Sequence, residues 1–438
     1  MTAKLPHPLV LLLGCVVVAV ALTWVVPAGA YQRRTDAATQ RDVVVPGTYA
    51  HVAAAPVRLP AALIAVPQGM VAGADIIVLV LFVGGAFALL DATGALARLV
   101  GSLVGIARHP RLAVVGVSLL FATLGALENM HEEIIALIPV LLVLSRGLGF
   151  GAVTALSMSI GSAVVGSAFG PTNPFQTGIA LRFAEMPALS QPALRFGLFA
   201  AAVAVWVGWT IFNLSRDDGR PAATVASGQA SVRDGVLLAL ALVPFVPYVI
   251  GVLKFDWGFN ELSGFFLIDG FVIGAVAGYS LSETAVKYLK AMEGMLGATI
   301  FIGVARAISV VLNEGRILDT ILYSMAAPLA HVPGLVAALL MVPLHAALHV
   351  AVVSVSGQAV LTMPVMGPLS DLLGLSRDAA VIAYQTGAGL TDMLTPTNGA
   401  LLAMLLGANV TFGRWMKFAI PGAFLVSLVG LAGILLAR

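Results

Sequence analysis

Charge is what this chain has least of. Only 10% of its 438 residues are Asp, Glu, Lys or Arg, whereas soluble domains carry about 25%. A soluble protein of two or three domains, which length alone would allow, is therefore excluded. The net charge of +2 leaves no basic surface for a nucleic-acid partner. Cysteine is nearly absent as well: Cys15 stands alone, so no internal disulfide can form. What fills the chain is apolar surface, 60% of residues with a mean hydropathy of +1.01. This is a polytopic membrane protein.

The first apolar run, Pro8 to Val26, is longer than a signal-peptide core of about 7–15 residues. It approaches the roughly 20 residues that cross a bilayer. It is read as a retained transmembrane helix, although Ala28 to Ala30 imitates a cleavage site and Leu12 to Cys15 a lipoprotein box. Further spans are expected at 71–91, 193–213, 234–252, 262–280, 290–312 and 413–436. Residues 30–70 read as a long polar-side loop and 214–233 as a flexible linker. Most Lys and Arg fall on one side if the N-terminus is cytoplasmic, which the positive-inside rule favours. Arg182, Arg195 and Arg377 fall outside.

Two apolar stretches carry the same interruption. Pro171, Thr172 and Asn173 recur as Pro396, Thr397 and Asn398, exactly as Pro139, Ser145 and Gly149 recur as Pro364, Ser370 and Gly374, all at an offset of 225 residues. This is an internal repeat. An odd number of spans separates equivalent elements, which turns the second copy upside down, a plan recurrent in secondary transporters. The expected division is a first repeat over 1–213, a cytoplasmic linker with a connecting helix over 214–261, and a second repeat over 262–438.

Residues 112–146 and 335–369 are apolar blocks with polar centres, "ENMHEE" and "SVSGQ". Each is too short for two spans of about 20 residues plus a turn, and a single span would bury several charges in lipid. Both are read as re-entrant hairpins. Proline inside a helix costs about 3 kcal/mol or more, so the Pro-Thr-Asn repeats are read as breaks in helices over 150–184 and 378–407. Non-helical backbone at membrane depth survives only inside protein or beside a cavity. Half-helix N-termini there suit a carboxylate, and the carbonyl ends suit a cation.

The expected substrate and ion site comprises Asn129, His131, Glu132 and Glu133 from the first tip, and Ser356, Gly357 and Gln358 from the second. Pro171, Thr172, Asn173, Asp392, Thr395, Pro396, Thr397 and Asn398 complete it from the breaks. Glu128 and Arg306 are candidate charge partners for the substrate. Several of these residues carry two readings. Glu132 fits a capping box with Asn129 as well as substrate contact. His131 is a titratable group or a plain hydrogen-bonding one. Arg306 meets a substrate carboxylate or neutralises Glu293, Glu314 or a hairpin glutamate. Asp392 is a cation ligand or an internal ion-pair partner. His345 and His349 have metal-ligand spacing, but Ala346 stands where a zinc protease needs Glu. They are read as packing residues, with no metal expected.

"TWVVPAGAY", the "HEE" tip and the block from Ser356 to Gly407 together resemble the YfcC-type membrane proteins, which belong with the DcuC-type anaerobic C4-dicarboxylate carriers in the broader ion transporter superfamily. The resemblance spans almost the whole chain. It implies a homodimeric inverted-repeat transporter whose mobile domain of hairpins and broken helices moves as an elevator against a scaffold. Its relatives carry dicarboxylates, short-chain fatty acids or basic amino acids.

The resulting expectation is an all-α polytopic protein of the bacterial cytoplasmic membrane, with two inverted repeats, re-entrant hairpins and broken helices. It would move a small carboxylate-bearing metabolite, an amino acid or C4-dicarboxylate, by exchange or by coupling to Na⁺ or H⁺, without a cofactor. The acidic first tip leans toward a substrate with an ammonium. A channel with re-entrant loops is the alternative. No nucleophile and base stand together, so no enzyme is expected.

Overall fold

Apolar runs without competing polar groups become helices, because every backbone donor and acceptor must be satisfied internally in lipid. The computed structural model describes residues 8–35, 42–95, 98, 109–187, 189–214, 231–244, 246–248, 251, 255, 257–293 and 295–437. Among the described residues, seven helices are long and apolar enough to cross a membrane. Their outward faces carry large exposed side chains such as Leu112, Ile268 and Phe424, as expected where lipid replaces water.

In chain order the helices are α1 (Pro8–Val25), α2 (Leu59–Ala72), α3 (Ala74–Ala92), α4 (Pro110–Glu128), α5 (Ile134–Gly147) and α6 (Ala152–Phe169). Then come α7 (Ile179–Phe183), α8 (Pro192–Phe212), α9 (Val232–Leu242), α10 (Phe259–Val276), α11 (Leu281–Glu293) and α12 (Leu296–Glu314). The last are α13 (Leu318–Ala326), α14 (Gly334–Ala351), α15 (Val355–Leu372), α16 (Arg377–Tyr384), α17 (Gly399–Gly407) and α18 (Phe412–Leu436).

Several expectations need correcting. The chain is not purely helical: β1 (Gly29–Ala30) pairs antiparallel with β4 (Ala50–His51), and β2 (Arg33–Thr35) with β3 (Asp42–Val44). The loop expected over 30–70 contains most of α2, whose apolar surface packs on α12. Gly69 permits that contact, since a Cβ there would strike the Gly303 carbonyl oxygen. Residues 71–91 divide at Gly73, with Ala72 ending α2 and Ala74 starting α3. The span expected at 290–312 begins at Leu296, after the separate amphipathic α11. Of the expected linker, 215–230 lie outside the described residues.

The first hairpin is α4 and α5 around a tip at 129–133, and the second is α14 and α15 around 352–354. "SVSGQ" is only partly tip: Ser354 caps α15 by accepting the Gly357 N–H, so Ser356, Gly357 and Gln358 form the first helical turn. Both helices expected to break do so. The first stops at Phe169 and resumes at Pro174; the second is interrupted between Gly389 and Gly399. Each also contains π-helical turns, at Ser157–Gly161, Pro174–Gly178 and Gln385–Gly389, a feature frequent at functional sites.

The packing sorts the helices into two groups, each drawing on both halves of the sequence. α1, α2, α3, α9, α10, α11 and α12 pack on one another, while the hairpins, the broken helices, α8 and α18 form the second group. The seam between them runs where α12 meets α17 and α3 meets α5.

Candidate functional site

Both hairpin tips and both breaks converge on one buried cluster. α4 ends because Asn129 turns left-handed, with φ of 57°, a conformation that Asn tolerates better than most residues. Its side-chain oxygen accepts a bond from Gln176 Nε2 at 3.0 Å. In the first break the Asn173 oxygen accepts from the N–H groups of Phe175 and Gln176, while its amide donates to the Gly125 carbonyl at 2.8 Å. Asn398 performs the matching task in the second. Its oxygen accepts the Leu401 N–H at 3.0 Å, and its amide donates to Asp392 Oδ1 at 2.8 Å. The asparagine of each Pro-Thr-Asn thus caps the half-helix that follows it.

His131 ties the two breaks together. Its Nδ1 lies 3.0 Å from Asp392 Oδ2 and its Nε2 2.9 Å from Ser167 Oγ. Ser167 and Asp392 are themselves separated by 225 residues, so one imidazole bridges equivalent positions of the repeat. The other carboxylate oxygen of Asp392 lies 3.1 Å from His349 Nε2, and Gln358 joins His349 to the His345 carbonyl.

A cavity of about 380 Å³ opens beside this cluster, on the seam between the two helix groups. Asn129, His131, Glu132, Ser356, Asp392 and Asn398 line it from the second group. Asp75 of α3 and Arg306 of α12 line it from the first. A small annex of about 40 Å³ continues along Glu132, Arg306, Ser309 and Asn398. Among the described residues no partner lies within bonding distance of the Arg306 guanidinium. The cavity can accordingly meet an anionic group at Arg306 and a cationic one at Glu132 and Asp75, with Asn398 and Ser356 as neutral partners.

The remaining expected site residues support this lining or lie apart from it. Glu133 accepts the His131 backbone N–H at 3.1 Å. Thr395 and Thr397 bond each other at 2.6 Å. Pro171 is buried without lining the cavity, Thr172 is exposed, and neither Gly357 nor Pro396 lines it. The Glu128 side chain lies outside the described residues. The proposed capping box is absent: Asn129 caps the outgoing arm, while Glu132 faces the cavity and α5 starts without a side-chain cap. Arg306 approaches Glu132 rather than Glu293 or Glu314. His345 does pack, edge-on to Tyr384, but His349 belongs to the polar cluster. Ser167, Gln176 and Asp75 are contributors that the sequence reading missed. Ser167 was findable from the 225-residue offset to Asp392; Asp75 carries no local signal.

Residues 5–438 match the family described as DcuC, C4-dicarboxylate anaerobic carrier. The chain is 26% identical to an uncharacterized protein of Haemophilus influenzae, covering 98% of this chain and 96% of that one. It is 27% identical to the "Putative basic amino acid antiporter YfcC" of Escherichia coli K12, covering 97% and 94%. Among solved structures, the Alcanivorax borkumensis YdaH transporter gives a TM-score of 0.45 at 20% identity, covering 98% of each chain. Neisseria gonorrhoeae MtrF, from a class of antimetabolite efflux pumps, gives 0.45 at 18%, covering 99% and 95%. With a match over nearly its full length, the chain belongs to the DcuC family and is a multi-pass membrane transporter.

Proposed function

We propose that this protein is a secondary active transporter that carries a small carboxylate-bearing metabolite, best fitted by an amino acid, across the bacterial cytoplasmic membrane by ion coupling or exchange. The observation that carries the proposal is the charge arrangement of the seam cavity. Arg306 supplies one cation, and Glu132 and Asp75 supply two carboxylates, while the third lining carboxylate, Asp392, is engaged by His131 and His349. That set complements a substrate carboxylate together with an ammonium, and the surplus negative charge favours a second cationic group. The Escherichia coli relative, named for basic amino acid antiport, agrees with this reading.

The position of the cavity supports an elevator in which the hairpins and broken helices move against the α1–α3 and α9–α12 group, with the two inverted repeats supplying both. The convergence of both tips on both breaks supports re-entrant hairpins. Arm length alone does not, because α4 and α14 are each of spanning length. A homodimer would hold the scaffold groups fixed.

A second reading, transport of C4-dicarboxylates, rests on Gly399 and Ala400. These first residues of α17 line the cavity together with Arg306 and direct a helix N-terminus toward an anion.

Thermal stability of the purified protein separates the two, because a ligand that binds only the folded state raises the melting temperature by mass action. Arginine, ornithine and neutral amino acids are compared with fumarate and succinate, each with and without sodium. Stabilisation by amino acids, weakened in Glu132→Gln, is the expected result; stabilisation by fumarate and succinate alone would replace the amino-acid reading. In proteoliposomes a carrier gives saturable uptake that an internal substrate accelerates. Conductive flux without such acceleration would mark a channel instead.

A further inference from the structure

The contacts of the polar cluster call for one proton more than its residues hold in their ordinary neutral-pH forms. Both nitrogens of His349 face oxygen atoms: Nδ1 lies 2.9 Å from Gln358 Oε1 and Nε2 3.1 Å from Asp392 Oδ1. The amide of Gln358 cannot be turned over to relieve this. Its Nε2 donates to the His345 carbonyl at 2.9 Å and faces His345 Nδ1 at 3.4 Å, so turning it would set two oxygens against each other. Gln358 Oε1 is an acceptor only, and so is an ionised carboxylate. A neutral imidazole carries a single N–H and satisfies one of these contacts, leaving two lone pairs opposed in the other. His349 and Gln358 are 0% exposed and Asp392 is 8% exposed, so water does not fill the gap.

We propose that the His349–Asp392 pair binds the proton that drives this transporter, a proposal that rests on the carrier function above. The proton converts His349 to an imidazolium against the Asp392 carboxylate, or resides on Asp392 and is donated to a neutral His349. In both forms every contact of the pair has one donor and one acceptor. The proton is taken up from the cavity and returned to it, with no other bond made or broken. His131 provides the connection, since it lines the cavity and bonds the opposite oxygen of the same carboxylate.

With the Ser167 hydroxyl donated to His131 Nε2 rather than to the Val164 carbonyl, a neutral His131 gives its Nδ1–H to Asp392, and the pair then holds a single exchangeable proton. Asn398 donates to Asp392 Oδ1, Glu133 is turned to the His131 backbone, and Glu132, Asp75 and Arg306 stand across the cavity. On the far side His345 packs on Tyr384, whose hydroxyl donates to the Val355 carbonyl.

Coupling follows from which elements the contact joins. His349 ends α14, Gln358 begins α15 and Asp392 lies in the second break. With the proton present, the second tip is fastened to the break. With the proton gone, one of the two contacts becomes repulsive and the tip is released beside the cavity. Asn398, which bonds Asp392 and also lines the cavity, makes substrate occupancy sensitive to that change.

The test reads the proton directly in the intact protein without substrate. Histidine ring ¹⁵N signals and the infrared carboxyl band are followed from about pH 5 to 9, the range in which imidazole ordinarily titrates. His349→Gln assigns the ring signals and Asp392→Asn assigns the carboxyl band. The expected result is one proton shared by the pair at neutral pH and lost as the pH is raised. A neutral His349 beside an ionised Asp392 throughout would overturn the proposal.

Asp392→Asn removes the titrating carboxylate and serves as the non-titrating control; because Asn398 donates to the same oxygen and Asp392 lines the cavity, its melting temperature and its gradient-free exchange are measured first. In proteoliposomes, an imposed pH gradient should drive wild-type accumulation, while Asp392→Asn accumulates no more than without the gradient. Equal gradient response in both would overturn the coupling role. If no substrate of either class moves, the carrier reading fails on its own, and the spectroscopic count still decides the proton.

Discussion

Asparagine at the two breaks shows how identical residues acquire different duties from their surroundings. Asn173 is fully buried and its side chain bonds backbone groups, whereas Asn398 bonds Asp392 and faces the cavity. Asn173→Ala should therefore lower stability by about 1–3 kcal/mol, the cost of a lost cap and a stranded buried N–H at Gln176, while ligand selectivity is unchanged. Asn398→Ala should weaken substrate binding as well, and ligand-dependent melting curves separate the two outcomes. Arg306→Gln removes a charge-assisted bond of about 1.5–3 kcal/mol. Affinity for any carboxylate substrate should then fall by about 10- to 100-fold; an unchanged affinity would remove Arg306 from the site. These asparagines were legible because their tripeptide repeats at a fixed offset. His349 was not, because only the fold brings it to Asp392, and its sequence neighbours are those of any apolar helix.

At the level of elements, each hairpin lies on a broken helix through glycine. A Cβ on Gly125 of α4 would strike the Ala163 carbonyl oxygen of α6, and one on Gly166 of α6 would strike the Ala122 carbonyl oxygen of α4. In the second half, Gly387 makes the same approach to the Val342 carbonyl in α14. These contacts make a tip and its break one mechanical unit, so neither can travel alone. Gly166→Val should separate α4 from α6, lower the melting temperature by several degrees and slow transport; overpacking of this kind costs about 1–3 kcal/mol. An unchanged melting temperature would show the arm to be free of the break. Hairpins and breaks were legible because proline and polar tips interrupt long apolar runs. α2 and the strands were not: Pro67 within α2 reads as a loop residue, and strands of two or three residues are too short to establish an alternating pattern.

Across the whole molecule, ion pairs join the two halves. Arg195 Nη2 lies 2.7 Å from Asp378 Oδ1, with both side chains 3% exposed, and Arg377 bonds Asp371, Glu185 and the Ala184 carbonyl. These arginines stand against the positive-inside pattern, yet their charge is matched by a carboxylate in the folded protein. Removing one partner of a buried pair costs about 3–5 kcal/mol, so Arg195→Ala should sharply lower the melting temperature. Adding Asp378→Asn should recover part of the loss, and a single mutant as stable as the parent would contradict the role of the pair. A second tie is the β-ribbon, where the Tyr31 N–H and Arg33 both bond Asp319. Burial, and then the nearby Asp319 charge, push the Tyr31 hydroxyl up to about 12. A raised value means the folded state retains the proton, so this contribution is complete below the ordinary tyrosine value of about 10. It is lost as pH rises through about 12. Ultraviolet titration should show a tyrosine that ionises late, and Asp319→Asn should bring it earlier; absence of that class would place Tyr31 in solvent.

The same ribbon imposes a timetable on biogenesis. Tyr31 and Asp319 are 288 residues apart in the chain, and synthesis proceeds at about 5–20 residues per second. For roughly 15–60 seconds at that rate, the ribbon has left the ribosome before its anchor has been made. The N-terminal half must therefore wait in the bilayer with this end undocked, and the protein can close only after the start of α13 has emerged.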